Sequence, residues 1–300
     1  MCIRDSAYDA KSLMQSTLFG LPMAVVTSGG ALAGDDDFPN VDTSVQPPTA
    51  FGDLSMGALA YGLPNSFGAF GDNSSGDGSF LDLNDSISFS AGQPIQPRFY
   101  ADVSAPNAGR LRGVLFLGGN YSDTLGYDPV VARPHNEYIT DTTEPSFTGD
   151  GWAPQLPFSL QSGTGSSGTG DTVVLSLGQF NGDQDTERVY EQMAFSTLYS
   201  DSSDVMPPTL HFVDGVLNAN LGQGTIKVEA ADTSGVAQVQ VAFTDNPLSG
   251  QGTWFSSSLT FEPATQKWTG EITVTITTRY FVQVVDGAGN VTTGDNKGRY

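Results

Sequence analysis

A single cysteine, Cys2, leaves the 300-residue chain unable to close a disulfide within itself. Basic residues are scarce as well: 12 Lys and Arg stand against 33 Asp and Glu, for a formal net charge of −21. Acid in that excess repels phosphate backbones, and with no basic patch to offset it nucleic acid is excluded as a partner. No apolar run reaches the roughly 18 residues of a membrane-spanning helix. The opening residues lack the charged stretch followed by an apolar one that marks a secretory leader. Among the acids Asp supplies 26 and Glu, the better helix former, only 7. Asp competes for backbone amides outside the helix and favours turns.

What the chain does hold is turn chemistry and β alternation. Gly numbers 36 and Pro 17, so loops are frequent, and a hydrophobic content of 38% leaves only modest cores. The clearest alternation lies between residues 224 and 290. There Ile226, Val228 and Ala230, then Val239, Val241 and Phe243, then Ile272, Val274 and Ile276, then Tyr280, Val282 and Val284 recur at every second position. Period two puts each set on one strand face, buried on one side and wet on the other. On that register Val282 points into the core and Val285 away from it. Residues 261–272 read as a hairpin turning at 263–266, with Trp268 packed on the core.

Upstream, 98–103, 112–117, 172–177 and 189–199 read as strands, 118–121 (GGNY) as a turn and 161–171 as a flexible loop. One or two strands are expected in 80–89, and 66–79 is low in complexity. The fold class is therefore mainly β, with one short helix near the N-terminus. The expected organisation is a non-native leader at 1–6, a short segment at 7–28, a linker at 29–40, a β-rich domain at 41–200, a linker at 201–208 and a β-sandwich at 209–300. Setting the leader aside makes the chain a fragment and leaves Cys2 without a role.

The helix is read at 8–19, where Ala10, Leu13, Met14 and Leu18 follow helical spacing, Asp9 stands near the start and Gly20 can end it. A short strand, 23–27, follows Pro22. The stretch AKSLMQSTLFGLPMAVV (10–26) resembles the last helix and last strand of gingipain-like cysteine peptidases, with Phe19, Gly20, Leu21, Pro22 and Met23 carrying the match. Leu21 stands where that family often has Asp. The resemblance implies a caspase-like α/β catalytic domain upstream and β-sandwich domains downstream. It implies a His–Cys dyad, in which the base takes the thiol proton. Both dyad residues precede the last helix in the family, so no residue of this chain takes those roles. His135 and His211 read as ordinary histidines in or beside β regions. Residues 114–120 and 178–180 resemble segments that join peptidase to terminal sandwich in such proteins. Residues 207–299 resemble bacterial immunoglobulin-like modules, on DTSGV (232–236) and DGAGN (286–290), where Gly permits tight corners and Asp and Asn hold them through backbone amides.

Two sets of oxygen donors stand out. Asn181, Asp183, Asp185 and Glu187 alternate in NGDQDTE, which resembles the start of a calcium loop. Thr186 replaces the glycine of such a loop and Gln192 its closing acid, so a solvated turn is the simpler reading. Asp214, Asp232, Asp286 and Asn290 fall at strand ends and could converge, although corner formation alone accounts for them. Calcium is the single cofactor these residues suggest. The expected function is that of a non-catalytic C-terminal portion of a secreted or cell-surface gingipain-like peptidase, partnered by the peptidase domain of the same parent chain. The alternative is a non-enzymatic surface protein that binds an extracellular protein or glycan.

Overall fold

The computed structural model describes residues 42–63, 71–72, 78–81, 87–88, 90–105, 107–132, 146–165, 168–245 and 249–298. The expected helix at 8–19, the strand at 23–27, the leader, the first linker, His135 and most of 66–79 lie outside them. The chain divides into two compact units, and the one described below is Phe38–Gly163 with Gly170–Tyr300. The mainly-β expectation is met: paired strands are antiparallel, and the helical element among the described residues is one 3-10 turn, Asn296–Gly298.

The first half supplies β1 (Asp42–Phe51), β2 (Leu54–Gly62), β3 (Gly71–Asp72), β4 (Ser79–Phe80), β5 (Ile87–Ser88), β6 (Gln96–Asp102), β7 (Arg110–Leu125), β8 (Trp152–Ala153), β9 (Phe158–Gly165), β10 (Gly168–Ser176), β11 (Gly178–Asn181), β12 (Thr186–Tyr190) and β13 (Gln192–Ser200). Strands β9 and β10 run into the stretch expected as a loop. In one sheet β1, β2, β13 and β7 lie side by side; in another the order is β5-β6-β10-β9. Leu59, Tyr61, Val114, Phe116, Val173, Leu175, Phe195 and Tyr199 fill the core of this half.

The longest strand, β7, organises the molecule. Its run Val114–Leu115–Phe116–Leu117 is apolar on both faces: Val114 and Phe116 enter the main core, while Leu115 forms a separate cluster with Leu198 and Val285. The expected turn at 118–121 is instead the middle of this strand. Gly118 (φ 138°) departs from ordinary strand geometry, and a Cβ there would sit 2.4 Å from the Trp254 carbonyl oxygen. At Gly119 a Cβ would sit 2.0 Å from the Gln192 carbonyl oxygen, so two neighbouring strands crowd this point and only glycine fits. Here β7 changes partners. Before the glycines it pairs with β13; beyond them it pairs with β12 on Tyr121–Leu125.

The second half supplies β14 (Thr209–Asn218), β15 (Gln223–Ala231), β16 (Val236–Asp245), β17 (Gly250–Ser258), β18 (Thr260–Glu262), β19 (Lys267–Thr273), β20 (Thr278–Asp286) and β21 (Val291–Gly294). One sheet runs β14-β15-β19-β18; β17-β16-β20-β21 runs as the other. Between them lie Ile226, Val228, Val239, Val241, Leu259, Ile272, Val274, Val282 and Val284, with Phe243, Trp268 and Tyr280 packed against the cluster. The alternation identified this core. Ile276 departs from it: the strand ends at Thr273, and Ile276 stands 88% exposed in the turn that follows.

The alternation also assigned a wet face to β20, and that face is buried. Phe281, Gln283 and Val285 are all at most 1% exposed. They are covered because β17 pairs with β7, Gly250 opposite Asp123 through Trp254 opposite Gly119, so one sheet continues from the first half into the second. Phe116 of β7 meets Phe281 at 6.1 Å between ring centroids and Trp254 at 6.0 Å, while Phe195 lies 5.4 Å away. Gln283 replaces a missing strand neighbour: its Oε1 accepts from the Phe116 N–H (2.8 Å) and its Nε2 donates to the Phe116 carbonyl (2.9 Å). Gln240 Nε2 donates to the same carbonyl at 3.0 Å.

Candidate functional site

Three carboxylates meet at one end of the second half. Asp286 ends β20 and is wholly buried; its Oδ1 accepts the backbone N–H groups of Ala288 and Asn290, each at 2.8 Å. Asn290 Nδ2 donates to Asp286 Oδ2 (2.8 Å) and to the Met206 carbonyl (3.2 Å). Asp232, just after β15, takes the N–H and the hydroxyl of Ser234 on Oδ1, both at 2.7 Å. These are the corner-holding bonds that the sequence led us to expect. The third carboxylate is Asp204, from the segment between β13 and β14, whose Oδ1 accepts the Met206 N–H at 3.1 Å. One oxygen from each of Asp204, Asp232 and Asp286 lies within 4.8 Å of the others. Among the described residues these are the side chains that could offer a divalent cation several hard oxygen donors. Asp232, Asp286 and Asn290 were singled out in sequence. Asp204 was not, because it lies in a segment read as a linker, and Asp214 takes no part in the group.

The alternating run 181–187 forms the β11–β12 hairpin and disperses its side chains. Asn181 Oδ1 accepts the Asp183 N–H (3.0 Å), and Asp183 Oδ2 accepts the Gly151 N–H (2.9 Å). Asp185 is exposed in the turn with φ 46°, the left-handed region that Asp tolerates. Glu187 turns inward and accepts from Gln96 Nε2 at 3.0 Å. Burial pushes its carboxyl up to about 8; the Gln96 bond opposes the shift and the Asp123 charge adds to it.

Next to it stands a side chain that sequence reading passed over. Arg188 is fully buried and grips Asp123 with two bonds, Nε to Oδ1 at 2.8 Å and Nη2 to Oδ2 at 2.9 Å. Its guanidinium carbon lies 3.7 Å from the Tyr121 ring centroid and 4.1 Å from that of Trp152. Burial alone would pull the guanidinium down, but the Asp123 bonds and charge drive it higher and keep it charged. Tyr121 carries the network on, its hydroxyl 2.7 Å from Thr244 Oγ1 on β16. The arrangement clamps strands together. His211 stands exposed on β14.

Around Gly118 and Gly119 of β7, a groove of about 550 Å³ is lined by Ala60, Leu117, Gly118, Gly119, Ala194 and Phe255 among others, with no charged side chain among the described residues of its wall.

No protein-family description matches the sequence, and no curated protein does. Among solved structures, the chain is similar to one described as the complex of the RgpB pro- and mature domains of Porphyromonas gingivalis. That match has 15% identity, 53% of this chain and 86% of that one covered, and a TM-score of 0.38. It is also similar to gingipain K of the same organism, in a structure concerned with zymogenic latency. There the identity is 8%, with 54% of this chain and 93% of that one covered and a TM-score of 0.34.

Proposed function

We propose that the chain is a non-catalytic accessory part of a secreted or cell-surface gingipain-like cysteine peptidase, a stiff β scaffold carried beside the peptidase domain. Residues 209–300 are its immunoglobulin-like module. The observation that carries this reading is the seam at β7. One sheet runs through both halves, and the buried groups on it (Arg188–Asp123, Tyr121–Thr244, Gln283–Phe116) are bonded to each other across strands. Polar groups committed in this way fix geometry. The resemblance at 10–26 supports a peptidase domain upstream. The test is incubation with casein and with fluorogenic Arg and Lys peptides under reducing conditions, alongside Cys2→Ala. No cleavage is expected; thiol-dependent cleavage lost in Cys2→Ala contradicts the proposal.

The groove at Gly118 and Gly119, uncharged among its described lining residues, favours a second reading, a surface protein that takes an extracellular protein or glycan there. The reading frame upstream separates the two. A caspase-like α/β region with His and Cys at strand ends supports the first reading, and further β repeats support the second.

A further inference from the structure

Gln96 and Glu187 reach each other from different sheets. Gln96 opens β6, Glu187 lies in β12, and they are 1% and 2% exposed. One bond between them is plain, Gln96 Nε2 donating to Glu187 Oε2 at 3.0 Å. Among the described residues, the other head of each group, Gln96 Oε1 and Glu187 Oε1, has no hydrogen-bond partner. Both oxygens turn to the bare face of Gly178, where a Cβ would lie 2.1 Å from the first and 2.7 Å from the second. A carboxamide presents one donor head and one acceptor head, and a carboxylate presents two acceptors. Turning the amide over exchanges its heads but still sets one oxygen against another. Two buried acceptors side by side are unfavourable unless something positive sits between them. Gly178 leaves them close together, and a proton needs no further room.

We propose that Glu187 is held as the neutral acid, that its Oε1–H donates to Gln96 Oε1, and that the resulting closed acid–amide pair is a pH-sensitive latch between the sheet of β6 and the hairpin β11–β12. The pair then has two hydrogen bonds and no orphaned oxygen. Loss of the proton restores the clash over Gly178 and forces the sheets apart there.

The charged surroundings agree. From β7, Asp123 presents a negative charge that disfavours a second one. Tyr127, just beyond β7, is held above the ordinary phenol range chiefly by its own burial, so it stays neutral and brings no charge to the pair. The cation nearest in sequence, Arg188, is bonded to Asp123. The exposed Asp183 and Asp185 belong to the turn, and Asp183 bonds the Gly151 N–H.

The test compares the full chain with Glu187→Gln in thermal and urea unfolding between pH 5 and pH 9. The variant's amide can donate the same bond and cannot ionise. Expected are matching stabilities near pH 5 and a variant more stable than wild type by a factor that grows roughly tenfold per pH unit up to about pH 8. In infrared spectra at pH 7, a buried protonated-carboxyl band should be present in wild type and missing from the variant. Should Glu187→Gln fail to fold, the same band in wild type with isotope-labelled glutamate carboxyls decides. Parallel stability curves at all pH values, or no such band, overturn the proposal. So does calcium chloride that raises wild type to the variant's stability at pH 9, since a cation would then stand where we place the proton.

Discussion

Arg188 shows most sharply what a residue does here. An ion pair buried this deeply is costly to desolvate, and its geometry has to repay that cost. The two bonds to Asp123 and the stacking on Tyr121 and Trp152 do so. Arg188→Leu should cost about 3–5 kcal/mol in urea unfolding, because it strands the Asp123 charge inside. Replacing both, as Asp123→Leu with Arg188→Met, should recover much of that loss, and a double variant as unstable as the sum of the singles contradicts the account. Glu187 gives the neighbouring position its own pH dependence. Its folded value of about 8 lies above the ordinary 4.5, so the folded state keeps a proton that the unfolded state releases. The stability this group contributes is full below about pH 4.5 and is lost as pH rises towards 8. Neither role was legible in the sequence. DTERVY reads as a polar turn running into a strand, and the partners Asp123 and Gln96 are 65 and 91 positions away. A long-range pair leaves no periodicity to detect.

At the scale of elements, alternation found the strands and the inner faces correctly but could not see a second layer. Ile226, Val241, Val282 and Val284 lie where period two put them. The opposite face of β20 carries Phe281, Gln283 and Val285, and a glutamine between two apolar residues looks like a solvated edge until β7 is known to cover it. The paired glycines of β7 misled for a similar reason. Gly-Gly signals a turn locally, whereas here it relieves crowding between the Trp254 and Gln192 carbonyls. Two outcomes follow for β20. Gln283→Leu should destabilise by about 1–3 kcal/mol, the cost of leaving the buried Phe116 N–H without its acceptor while Gln240 still serves the carbonyl. Val285→Asp should unfold the chain about as readily as Val282→Asp, since each buries an unpaired charge. If thermal melts show Val285→Asp tolerated while Val282→Asp is not, the packing of β20 on β7 is wrong. The corners of the second half were legible beforehand because Asx bonds are local: Asp232 serves Ser234, and Asp286 serves Ala288 and Asn290. The approach of Asp204 to them is not local and was missed.

For the whole molecule the account claims that the two halves move as one. Each has its own apolar cluster, yet Ala242, Trp254 and Phe281 of the second half belong to the core of the first. Burying an aromatic of that size contributes roughly 1.5–3 kcal/mol each, comparable to a sizeable share of a domain's net stability. A scaffold that flexed at residues 201–208 would uncover them. Native-state hydrogen exchange tests this directly, by comparing slow amides of β7 and β13 with those of β16 and β20. The account predicts one shared opening: Phe116, Phe195, Val241 and Val282 should lose protection at the same free energy and with the same denaturant dependence. Protection that persists at Val241 and Val282 after Phe116 and Phe195 have exchanged would show two halves opening independently, and the stiff scaffold would be contradicted.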